Sequence, residues 1–321
     1  MRTAGVCLAF SLVLNFLLLF LLSKTHKIIG NFRYLMIIYS VFLMLFNLID
    51  VLMLPAVHIH DYGFIYVSSS PLRQRPFGLV VAALQSWTQG VCVTLLSFNF
   101  VFRYSFIQPK KIARYWYAWP VVSVGLLCAW GYAENYALAN DFFDFYFRQS
   151  VLDKYKVDIL ESGYYAVVYW VEDAVTGEMS LYFPSMFCLV VVGICDVSTL
   201  IMICFCGFFL YKSVRDATQF ASSMVARVNK DLFWTLVFQT IAPILLIHTP
   251  SAVLIFSPFF KLNPEGIEEI QPLLLSIFPI VDTLIVLVFF RAFRNTLREL
   301  FWPQNTTLTN SIHLQHIART P

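Results

Sequence analysis

Seven stretches of this chain, about 4–22, 34–57, 77–102, 118–138, 183–211, 232–256 and 270–290, are apolar over roughly 20 residues or more with few charges among them. A bilayer core about 30 Å thick is crossed by a helix of about that length. With 59% hydrophobic and 13% charged residues in 321, the chain is too apolar for a soluble domain of its size. The expected fold is an all-α membrane protein, a seven-transmembrane helix bundle forming one domain over 1–303. The first block, within "SLVLNFLLLFLLSKT", is longer than a signal-peptide core and is followed by no small-residue cleavage site, so it reads as an uncleaved span.

Lys and Arg set the orientation, because short cytosolic loops carry the excess. Fifteen fall in the connections after spans 1, 3 and 5 and in the tail, among them Lys24, Lys27, Arg33, Arg103, Lys110, Lys111, Arg114 and Arg291. Seven fall on the other side: Arg2, Arg73, Arg75, Arg148, Lys154, Lys156 and Lys261. The N-terminus is therefore expected outside and the C-terminus in the cytosol. All seven cysteines lie within apolar blocks, so no extracellular disulfide is expected. The sequon at Asn305, in the cytosolic tail, is expected to stay unmodified.

No internal repeat or matched pair of broken helices marks an inverted-repeat transporter. The one long loop, about 139–182, has an aromatic and acidic texture and is expected to cap the outer mouth; within it "YYAVVYW" suits either a short strand or an interfacial segment. After span 7, "RAFRNTLRELFWP" places Phe293, Leu297, Leu300 and Phe301 on one face and Arg291, Arg294 and Arg298 on another. That pattern predicts a short amphipathic cytosolic helix over about 291–302, stopped by Pro303, with residues 304–321 a disordered tail.

A charge in mid-helix costs on the order of 2.5–3.5 kcal/mol on insertion scales, so each needs a reason. Asp196 and Glu134 read as fasteners between helices, whereas Asp50 and Asp282 read as parts of a polar network able to rearrange. Pro55, Pro243, Pro250 and Pro279 fall within spans 2, 6 and 7, where each removes a backbone donor and permits a kink. "HIHD" at His58–Asp61 reads as polar surface rather than a metal site, since no further ligand falls near it in the pattern. Catalytic and nucleotide-binding motifs are absent, no cofactor is implied, and an enzyme is a poor fit.

Four segments, "GNFRYLMIIYSVFLMLFNLIDVLMLPAVH", "FVFRYSFIQPKK", "LFWTLVFQTIAPILLIHTP" and "FPIVDTLIVLVFFRAFR", resemble in order and spacing the nematode serpentine chemoreceptors of the Str type. The resemblance runs from about residue 28 to 300. It implies a seven-helix G-protein-coupled receptor of the plasma membrane, usually of sensory cilia, that responds to small environmental molecules and couples to a heterotrimeric G protein. Arg103 and Tyr104 stand where the family has its aromatic-Arg-Tyr pair, and Asp50, Pro55, His58, Gln239, Pro243, Pro279, Asp282 and Arg291 fall on recurring positions. Phe278 and Thr283 replace the Tyr and Pro that commonly flank the span-7 motif, and Phe102 precedes the arginine where many other animal receptors carry an acid.

The expected function is thus olfactory-type reception. By depth alone, the candidate ligand contacts are Gln85, Trp87, Gln89, Met186, His248, Ser251, Gln271 and Ser276. The candidate switch and coupling residues are Asp50, Arg103, Tyr104, Pro243, Pro279, Asp282 and Arg291. Seven spans also allow a transporter or ligand-gated channel, but the intramembrane charges are too few and scattered to trace a conduction path.

Overall fold

The computed structural model describes residues 2–25, 32–107, 118–173, 175–220 and 223–301. Lys27, Pro109, Lys110, Lys111, Arg114 and the whole of 302–321, with Pro303, the Asn305 sequon and the expected disordered tail, lie outside the described residues.

The apolar blocks become helices α1 (Arg2–Lys24), α2 (Phe32–Met53), α3 (Phe77–Ile107), α4 (Ala118–Glu134), α6 (Phe183–Phe220), α7 with α8 (Ser223–Pro243 and Thr249–Phe259) and α9 (Ile267–Phe289). Six of these segments are long and apolar enough to cross a membrane; α4, at 17 residues, is shorter. Together they form a multi-spanning bundle with α3 at its centre, packed on α2, α4, α6 and α7, while α1 fills the groove between α2 and α9. The main core, which includes Leu43, Phe46, Leu96, Phe100, Leu236 and Phe278, lies where α2, α3, α6, α7 and α9 meet.

Span 2 ends sooner than its hydropathy suggests. The helix stops at Met53, Leu54 turns with a φ of 46°, and Pro55 begins a strand, β1 (Pro55–His60). Pro55 is therefore not a kink within a span but the first residue of a strand, a position where a missing N–H is tolerated. A two-residue turn leads into β2 (Gly63–Ser68), and β3 (Tyr164–Val168) pairs with the far edge of β2, giving an antiparallel order β1-β2-β3. "YYAVV" is thus strand. The 139–182 region is not a plain loop either. It contains α5 (Asp141–Tyr155), whose Asn140 side chain accepts from the Phe143 N–H as an N-cap. Phe143, Phe147 and Val151, one helical turn apart, bury this helix against Ile65, Val67, Tyr164 and Val168 of the sheet. A small hairpin, β4 (Trp170–Glu172) with β5 (Met179–Leu181), leads into α6.

This cap is sewn to the bundle by polar contacts. Arg75 donates to Asp144 at 2.7 Å and to the carbonyls of Ile159 and Ser162, and the Tyr164 hydroxyl donates to the same carboxylate at 2.7 Å. Burial works against the Arg75 charge, but the hydrogen bond and charge of Asp144 outweigh it and raise the guanidinium pKa. Gly78, at the start of α3, and Gly163, just before β3, touch backbone to backbone; a Cβ on Gly163 would fall on the Gly78 carbonyl group. No cysteine pairs with another among the described residues.

At the opposite end, α10 (Arg291–Phe301) follows α9 and packs beside α1. Phe293 is fully buried among Leu18, Leu21, Leu22, Phe32 and Phe290, and Leu297 is partly covered. Leu300 stays exposed, as do Arg291, Arg294 and Arg298.

Candidate functional site

The polar side chains inside the bundle concentrate on α2, α3, α7 and α9. Near the cap, Gln271 of α9 donates to Ser251 of α8 at 3.4 Å, and Gln85 of α3 accepts from the Tyr165 hydroxyl of β3 at 3.0 Å. More than one helical turn further along α9, Ser276 donates to the Asp50 carboxylate of α2. Deeper still, Asp282 accepts from Gln239 of α7 at 2.9 Å and from the Tyr39 hydroxyl of α2 at 3.3 Å, so one carboxylate ties three helices. A cavity of about 10 Å³ opens beside it, lined in part by Asn99, Tyr39, Gln239 and Asp282. Asn47 Nδ2, Asp50 Oδ1, Gln85 Nε2, Asn99 Oδ1 and Gln271 Oε1 are buried and find no partner among the described residues. Buried polar groups left in this state are costly.

The candidate ligand contacts do not converge on one point. Gln271, Ser251 and Gln85 lie under the cap, and Met186 packs beneath the sheet among residues such as Leu254 and Tyr169. Ser276 is engaged by Asp50. Trp87 turns to α4, where its Nε1 donates to the Leu127 carbonyl at 3.3 Å, so it serves helix packing. Gln89 is half-buried on α3. His248 faces Asp196 of α6, Nδ1 to carboxylate 3.9 Å, and its Nε2 has no protein partner. Of the two acids read as fasteners, Asp196 of α6 faces His248 across 3.9 Å, whereas Glu134 accepts at 2.6 Å from Trp130 of its own helix, and it is Trp130 that reaches Ser86 of α3 at 3.4 Å.

Of the switch candidates, Pro243 closes the regular part of α7. The five residues Ile244–His248 after it form a π-helical turn, with the Thr249 N–H reaching back to the Ile244 carbonyl. Pro250, directly after Thr249, lacks the N–H that would return to the Leu246 carbonyl, and the wider turn before it absorbs that defect. Pro279 sits inside α9, where its carbonyl accepts from the Thr283 hydroxyl at 2.9 Å. Arg103 lies with its guanidinium over the Phe32 ring, 4.0 Å from the centroid, and its Nε is buried without a partner among the described residues. Phe102, at the place of an acid, stacks on the same Phe32, 6.1 Å between centroids. Tyr104 stacks on Phe209 of α6 at 5.4 Å. Arg291 reaches Asp231, at the start of the apolar part of α7, at 3.5 Å.

Tyr39, Asn99 and Asp231 are participants that the sequence alone did not single out. Asp231 carried a usable signal, a lone acid where a basic stretch meets an apolar block; Tyr39 and Asn99 are ordinary span residues until a neighbour is known.

Residues 2–298 match the family described as serpentine type 7TM GPCR chemoreceptor Str. The chain belongs to that family. The Str chain is 25% identical over 304 residues to G-protein coupled receptor str-33 of Caenorhabditis elegans, covering 91% of this chain and 87% of that one. It is 24% identical over 295 residues to serpentine receptor class r-10 of Caenorhabditis briggsae, covering 89% and 86%. Squid rhodopsin superposes with a TM-score of 0.59 at 12% identity, over 94% of this chain and 83% of that structure, a likeness of fold. The protein is accordingly an integral membrane member of a non-enzymatic, GPCR-like chemoreceptor family.

Proposed function

We propose that this Str chain is a seven-span, G-protein-coupled chemosensory receptor of the plasma membrane of a sensory cilium, activated by a small environmental molecule. On this reading the short α4 also crosses, as the fourth of seven spans, the sheet and α5 face outward, and α10 lies along the inner membrane surface with the tail in the cytosol. The Lys and Arg asymmetry supports that orientation.

The observation that carries the reading is the succession of polar links down α2, α7 and α9, from Gln271–Ser251 through Ser276–Asp50 to the Asp282 junction. Phe32, which carries the Arg103 guanidinium, lines the same small cavity as Asp282, and Asp231 and Arg291 pair between α7 and α10. A ligand shifts such a bundle only by binding one arrangement better than the other. The outer links sense it, the π turn after Pro243 lets the inner half of span 6 move relative to the outer half, and release of Arg103 and Arg291 from Phe32 and Asp231 opens a basic inner face to the partner.

Two measurements test this. An epitope tag at Pro321 is expected to stain only permeabilised cells, and staining of intact cells overturns the orientation. Nucleotide exchange by a co-expressed G protein is expected to rise with agonist; a current that persists with the G-protein pathway blocked replaces the receptor with a channel.

A further inference from the structure

A cavity of about 560 Å³ lies outside the bundle, between the β1–β2 turn, the α5 face carrying Asp153 and Lys154, and the α8–α9 loop at Lys261. That volume suits a small-molecule ligand. None of the candidate ligand contacts named above lines it.

Its walls carry both signs of charge. Lys261 and Lys154 face it together with Asp61 and Asp153. Lys261 lies 3.6 Å from Asp61, and Lys154 donates to Glu268 of α9. A molecule of one sign is drawn to one wall and repelled by another, whereas a molecule carrying an ammonium and a carboxylate is complementary to both. One polar group at the wall is also left over. His58 is only 9% exposed, its Nδ1 lies 3.1 Å from Glu268, and its Nε2 is buried, finds no partner among the described residues and belongs to a residue of the cavity wall. Among the described residues no three His, Cys, Asp or Glu side chains come close enough to hold a metal ion.

We propose that this cavity binds a small zwitterion of the amino-acid type, with its carboxylate toward Lys261 or Lys154, its ammonium toward Asp61 or Asp153, and a hydrogen bond to His58 Nε2. The site is wired to the switch. Glu268, in the first turn of α9, takes Lys154, His58 and the backbone N–H of Ile59 at 2.5 Å, and Ser276 two turns further on holds Asp50. A ligand that draws Lys154 or His58 away changes what anchors α9 to the cap. This assignment rests on the receptor reading for its outward orientation.

The test is saturable binding to the purified full-length receptor in lipid nanodiscs, read without a G protein. The probes are glycine, L-alanine, L-serine and L-glutamine against acetate and methylammonium, which carry one charge each. At least one zwitterion is expected to bind where both single-charge probes fail. Asp61→Asn and Lys261→Gln, at exposed positions, are each expected to weaken that binding about tenfold, the loss of one charge-assisted hydrogen bond. No binding by any zwitterion, equal binding of acetate or methylammonium, or affinity untouched by both substitutions overturns the proposal. Binding without nucleotide exchange would instead count against the G-protein reading and leave the pocket standing.

Discussion

The two ends of the bundle are held together in different ways. At the capped end one carboxylate, Asp144, gathers Arg75 and Tyr164, an aromatic layer joins α5 to the sheet, and two glycine backbones touch. At the basic end the links between helices include an arginine lying on a phenylalanine ring, the Arg294 guanidinium on the Val288 carbonyl, and the ion pair Asp231–Arg291, with Arg291 largely exposed. Exposed ion pairs contribute about 0–1 kcal/mol, whereas breaking a well-covered pair costs several times that. On the proposed receptor reading this is a division of labour: the capped end, where that reading puts the ligand, is prebuilt, and the basic end, where it puts the partner, is held by links cheap enough to exchange.

The sharpest way to break this contrast is Gly163→Ala. Its Cβ has nowhere to go but into the Gly78 backbone, so the expected cost is about 3 kcal/mol or more, seen as loss of surface-exposed receptor by flow cytometry. Normal delivery would mean that the cap is not the rigid end. Next in size, Asp144→Asn is expected to lower stability by about 2 kcal/mol, because Arg75 and Tyr164 lose a charged acceptor in a partly covered site. Thermal unfolding in detergent measures it, with Glu172→Gln in the exposed β4 strand as the comparison.

At the other end the effects fall on signalling. Arg103→Lys is expected to keep surface level near the parent but to weaken G-protein activation strongly at saturating ligand, and Arg103→Ala to do so more severely, because the planar guanidinium stacks and donates in a fork that an ammonium cannot copy. Equal signalling by the lysine variant would reduce Arg103 to a membrane anchor. Asp231→Asn should change stability by less than about 0.5 kcal/mol yet raise basal nucleotide exchange, since it frees Arg291. Smallest of all is the response to mild reductant: with the cap held by packing and hydrogen bonds, ligand response is expected to stay unchanged, and its loss would reveal a cysteine bridge.

The spans were legible because a bilayer demands a long apolar run, and such a run is visible without any partner. The cap was not. "LMLPAVHIH" continues the apolar block past Met53, so hydropathy alone carries span 2 into what is strand β1. Helix α5 had its signals, Asn140 as cap and Phe143, Phe147 and Val151 at helical spacing, but seven aromatic and acidic residues in a row mask them as loop texture. In the site, Asp50 and Asp282 stood out because a charge in a span is expensive. Their partners did not, since Ser276 lies 226 residues from Asp50 and Tyr39 lies 243 from Asp282. Trp87 shows the converse: depth placed it among ligand contacts, and rotation about the helix axis, which depth ignores, turned it to α4.

The π turn at Ile244–His248 also bears on how residue equivalences are carried between relatives. A wide turn holds one residue more than the α-helical repeat, so the side chains beyond it are rotated by about 100° relative to an uninterrupted helix. A relative with a plain helix here would match this chain up to Pro243 and then slip by one position, and Ser251 would be equated with a residue on a different face. A one-residue gap within 244–248 restores the frame, and comparisons of outer span 6 across the family depend on where that gap is put.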